Sequence, residues 1–146
     1  MAYGLATDLY NSEAQAHHYA HLEADHLPDR LDWVERGAVT YVRKDGLCAA
    51  SWANAAVAAI EGAVYIRDGP GHLPILSTQQ FIDCDHQSHG CNGGLFTNAF
   101  EHAMEVPVML DHNYPYMAED HECTYIDGMG VTKVKNYINV LPNDPE

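Results

Sequence analysis

Four cysteines constrain this chain more than any other feature. They are Cys48, Cys84, Cys91 and Cys123, and no two of them form a C-x-x-C pair. An even count admits two readings. Two structural disulfides would staple the fold and would need an oxidising compartment. Alternatively, "CDHQSHGC" offers Cys84, His86, His89 and Cys91 as a two-cysteine, two-histidine set that zinc would accept. The zinc spacing is unusual, and such a cage leaves Cys48 and Cys123 without a role.

Charge narrows the partners. The 146 residues carry 21 acids against 7 bases, a formal net of -14. Nucleic acid and anionic membrane both demand a basic footprint, so neither is an expected partner. Ten histidines would take up protons in an acidic compartment and reduce that charge. The length suits one domain, and an apolar content of 47% is enough for a core. No apolar run reaches the ~18 residues that a membrane span requires. The start, "MAYGLATDLYNSEAQ", has neither a basic n-region nor an apolar h-region and does not read as a signal peptide.

Residues 8–24 hold helix formers without a breaker and place His17 and His21 on one face; Pro28 interrupts this pattern. Residues 38–42, "AVTYV", alternate and predict a short strand. The stretch Ser51–Arg67 predicts a helix with Trp52, Ala56, Ala59, Ile60, Ala63 and Tyr65 or Ile66 on its apolar side. Ser51 suits its cap or first turn. "STQQFIDC" predicts a second helix with a capping box of Ser77 and Gln80. "GCNGG" predicts a turn, and residues 95–106 a third helix ended by Pro107. Residues 131–140, "VTKVKNYINV", alternate like a strand.

The order "LPDRLDWVERGAVTYV", "DGLCAASWA", "AIEG", "LSTQQFIDCD", "GCNGG" and "NYPY" resembles the papain family of cysteine peptidases. The likeness runs from about residue 27 to residue 140. It implies an α+β fold: the family's left domain, a mainly helical core with short β segments at both ends. On this reading residues 1–26 resemble the tail of a propeptide, and residues 27–146 are a left domain truncated before the right β domain. The truncation is expected at the N-terminus as well.

The resemblance also assigns residues. It implies disulfides Cys48–Cys91 and Cys84–Cys123, which uses all four cysteines, disfavours zinc and implies no metal or cofactor. In the chain-entropy model each loop of roughly 40 residues contributes about 4 kcal/mol. The disulfides imply a secretory, lysosomal or extracellular location.

The family's nucleophilic cysteine falls on Ser51 and its oxyanion-hole glutamine on Asp45. A serine hydroxyl ionises far less readily than a thiol and needs a base. Ser51 is therefore read as a helix cap, although some family members carry serine there. An ionised Asp45 cannot donate to an oxyanion and would repel it. Ala49, Ala50 and Asn54 also depart from the family pattern. Gly93, Gly94, Leu95 and Phe96 fall on the family's peptide-binding wall; the glycines equally suit a simple turn beside Cys91.

The expected function is a papain-family homologue without catalysis, acting by protein binding or as a subunit of an assembly. A chain of an endopeptidase completed by a right domain, and a gene remnant without selected activity, are the other readings. The expected partner is a protein or peptide that covers the right-domain face, a second copy included, because strand-like segments at 31–33 and 131–140 would otherwise leave open edges.

Overall fold

The computed structural model describes residues 28–139. The expected helix at 8–24, with His17 and His21, and the propeptide-like segment at 1–26 lie outside the described residues. The chain divides into two compact units, one of residues 31–136 and the other of residues 1–30 and 137–146. The first unit carries every element described below.

Helix α1 spans Ser51–Asp68. Its many alanines favour the helix and keep its surface shallow. The Gly69 N–H closes it on the Tyr65 carbonyl at 2.8 Å, and Pro70 follows. Helix α2 spans Thr78–Cys84, and helix α3 spans Phe96–Glu105. Strand β1 (Val108–Met109) pairs antiparallel with β2 (Gly130–Thr132), with Val108 opposite Thr132 and Met109 opposite Gly130.

One core joins the three helices. Trp52, Ala53, Ala56, Val57 and Ile60 of α1 meet Phe81 and Ile82 of α2 and Ala99 and Ala103 of α3. Alanine on both α1 and α3 lets the two helices approach closely. A second, smaller cluster holds Cys84, Met109 and Tyr114. The α+β class and the helical left-domain core follow the expectation.

Several elements differ from it. Residues 38–42 form no strand: Thr40 and Arg43 turn their side chains to Glu61 instead of building a ladder. Of residues 131–140, only the first two continue β2, and residues 133–139 have no regular structure. Ala59 and Ala63, expected on the buried side of α1, are exposed; of Tyr65 and Ile66 it is Tyr65 that is buried; and Glu61 is 1% exposed. A tight Glu61 pairing has rotated the buried face away from the purely apolar stripe.

The capping box at α2 is half formed. Ser77 Oγ accepts from the Gln80 N–H at 3.0 Å. The Gln80 amide does not return the contact. It donates to the Pro107 carbonyl at 3.1 Å and accepts from the Met109 N–H at 2.7 Å. It thereby ties α2 to β1.

Candidate functional site

The loop before α1 is pinned on three sides. Cys48 is bonded to Cys91, and the Ala49 N–H donates to the Cys91 carbonyl at 2.9 Å. The Tyr116 hydroxyl donates to the Asp45 carbonyl at 2.6 Å. Cys84 is bonded to Cys123. These are the pairs that the resemblance implies. With Cys84 and Cys91 each held in a disulfide, the zinc set at Cys84, His86, His89 and Cys91 is overturned: zinc needs thiolates.

Ser51 is the first residue of α1 and is exposed. It is not the cap. Ala50 occupies that position, and no side-chain hydrogen bond closes the helix start. The first N–H groups of α1 therefore have no side-chain cap. Such a terminus favours negative charge.

Asp45 is held by a side chain of α1. Its Oδ1 accepts from the Asn54 amide at 2.6 Å, and Asn54 Oδ1 accepts from Thr78 Oγ1 at 2.8 Å. Ser51, Asp45, Asn54 and Arg43 line one groove of about 350 Å³. The loop thus brings Ser51 and Asp45 together. Burial, and after it the Asp45 charge, push the Tyr116 phenol above its ordinary pKa.

The Gly93–Phe96 segment lies outside this groove. It is joined to it through Trp52, whose indole N–H donates to the Gly90 carbonyl at 3.2 Å. A Cβ on Gly94 would come within 2.6 Å of Ser88 and 2.7 Å of the Trp52 ring, so close packing requires glycine there. Gly93 has φ +108 and open space beside it. Leu95 precedes α3, and Phe96 opens it with its ring edge-on to Phe100. One glycine is thus demanded by packing; the other has open space at its Cα, but its N–H donates to the Gly90 carbonyl at 3.2 Å and its carbonyl accepts from the His89 N–H at 2.9 Å.

Two features escaped the sequence. Glu61 Oε1 pairs with Arg43 at 2.5 Å and accepts from the Leu76 N–H at 2.7 Å, while Oε2 accepts from Thr40 at 2.6 Å. The signal was an acid on the inward side of an apolar helix. The role of Asn54 as the holder of Asp45 was the other; the paired departure of both positions from the family pattern was its trace.

A profile described as papain family cysteine protease matches residues 27–146. The chain is 40% identical over 130 residues to a senescence-specific cysteine protease of Arabidopsis thaliana, covering 88% of this chain and 37% of that protein. It is also 40% identical over 119 residues to caricain of Carica papaya, covering 81% and 34%. Among solved structures, procathepsin L2 from the larval midgut of Tenebrio molitor superposes with a TM-score of 0.74 at 30% identity, over 82% of this chain and 38% of that one. A Carica candamarcensis cysteine protease gives a TM-score of 0.66 at 36% identity, over 75% and 50%.

The match, the helical core and the two disulfides define a left-domain lobe of a peptidase fold. The chain belongs to the papain family of cysteine proteases. It spans little more than a third of the length of these curated relatives.

Proposed function

We propose that this chain is a non-catalytic member of its family and acts by binding a protein or peptide. One observation carries the first half: the Asp45 carboxylate, fixed by Asn54, stands in the groove beside Ser51. An acyl-transfer site needs donors aimed at the developing oxyanion. A fixed carboxylate offers an acceptor and a like charge. Loss of one such donor alone costs about 10² to 10³ in rate. Ser51 adds a nucleophile that the helix terminus cannot ionise.

The binding half rests on the outer face of α1. Trp33, Val39, Ala59, Ala63 and Ile66 line an apolar groove of about 380 Å³. Val42 and Leu47 are exposed as well, at 91% and 103%. A patch of this kind marks an interface. Its occupant is a protein surface, either a second copy or a subunit of a larger assembly. By the family resemblance, Gly93, Gly94, Leu95 and Phe96 are a second candidate surface for an extended peptide, although the Gly93 N–H and carbonyl already bond Gly90 and His89. Both disulfides support a working location in the secretory pathway, a lysosome-like compartment or the cell exterior.

One other reading is favoured by the coverage of about a third of protease relatives. On it, the lobe is one part of a cysteine- or serine-type endopeptidase whose right domain supplies the remaining groups.

The test is Ser51→Cys, assayed on dipeptidyl and longer amides with a thiol reductant held below the level that opens the disulfides. No thiol-dependent turnover is expected, because Asp45 remains. Turnover in that variant would overturn the proposal.

A further inference from the structure

His102 is the one α3 histidine, and the groove at Ser51 does not use it. It is half-buried, with its ring edge-on to Phe81 of α2 at 5.7 Å between centroids. Its Nε2 is buried without a hydrogen-bond partner. Just past the end of α2, Asp85 is 5% exposed. Its Oδ1 accepts from the Gln87 N–H at 2.9 Å, while Oδ2 is buried without a partner. Two orphaned polar atoms thus stand at the junction of α3 with the end of α2.

That junction also carries the loop leading to Gly93 and Gly94. The Asn98 amide of α3 donates to the Gln87 carbonyl at 3.0 Å, and Gly94 packs on Ser88. Helix α3 is thus one support of the loop, beside the Cys48–Cys91 disulfide and the Trp52 contact with Gly90. We propose that His102, packed edge-on to Phe81, is a proton-sensing joint that holds α3 on α2 near neutral pH and slackens in acid, with the Asp85 charge restraining that loss.

The charges around His102 set the direction. Burial lowers its pKa; Asp85 opposes this, His86 adds to it, and Glu105 on α3 opposes it. The adjoining segment, whose Val134 N–H donates to the Ala103 carbonyl, carries the exposed Lys133 and Lys135. An imidazolium has no hydrogen-bond acceptor on the Phe81 ring and carries a charge that burial penalises. With the folded pKa below the unfolded value, the contribution to stability is complete above the ordinary histidine pKa. It is lost as pH falls from that value toward the folded pKa. The acidic compartments implied by the proposed location would sample this window.

The experiment is an NMR titration of the 146-residue chain, following the His102 ring and amide exchange in α3. His102 is expected to titrate below the ordinary histidine value, and lower still in Asp85→Asn. Protection of the α3 amides, corrected for intrinsic exchange, is expected to fall on acidification by about tenfold per pH unit of depression. In His102→Leu that acid-dependent loss disappears. An ordinary or raised His102 pKa, or an acid loss that survives in His102→Leu, would overturn the proposal. If His102→Leu does not fold, the titrations of the wild-type chain and Asp85→Asn decide.

Discussion

The Asp45 carboxylate and the Asn54 amide meet at 2.6 Å, and Thr78 donates to the far side of the same amide. Asn54 therefore bridges the loop before α1 to the start of α2. The motif resemblance sets Asp45 and Asn54 against a glutamine and an aromatic residue of the family pattern. Their contact couples the two residues: the carboxylate accepts, and the asparagine amide donates.

Removing that donor should be felt. Asn54→Leu strips the partner from Asp45 and from the Thr78 hydroxyl. We expect a loss of about 1–3 kcal/mol, the range for leaving a partly buried polar group unmade. Urea unfolding reads it as a lower midpoint with an unchanged slope. A midpoint equal to that of the wild-type chain would show that the bridge does not hold the loop.

Glu61 predicts a larger effect. It is almost fully buried, and its carboxylate serves Arg43, Thr40 and the Leu76 N–H together. Glu61→Ala leaves Arg43, whose side chain is 11% exposed, as an unpaired charge. Breaking one side of such a buried pair costs about 3–5 kcal/mol. Thermal unfolding should show a loss well beyond that of an exposed control, Glu101→Ala. Equal losses would contradict the pairing.

The helices were legible because their signals were local. Ser77 caps α2 through a contact three residues away, and the alanines of α1 favour helix wherever they sit. Residues 38–42 misled because alternation reports only that side chains could face opposite ways. Whether a ladder forms depends on a neighbour, and Glu61 of α1 captures Thr40 and Arg43 first. Gln80 failed as a capping-box partner for the same reason: residues 107–109 compete for its amide. Ser51 and Asp45 could be placed by motif alone. Asn54's bond to Asp45 could not, since it depends on how the loop folds back. Ser51 misled as a cap because Ala50, which has no side-chain acceptor, occupies that position.

The open face of α1 predicts association. Ala59 and Ile66 lie exposed in the apolar groove. Light scattering at micromolar concentration should give a mass above that of one chain, falling on dilution. Ala59→Glu with Ile66→Glu should shift the chain toward monomer without lowering its unfolding midpoint. A wild-type monomer independent of dilution would show that no second copy covers this face.

The central claim is that Ser51 does no chemistry. The direct measurement compares amide hydrolysis by the 146-residue chain with hydrolysis by Ser51→Ala, across dipeptidyl and longer substrates and from acidic to neutral pH. The account predicts the same background rate for both proteins at every pH. A wild-type rate above background that falls to background in Ser51→Ala would make Ser51 a nucleophile and contradict it.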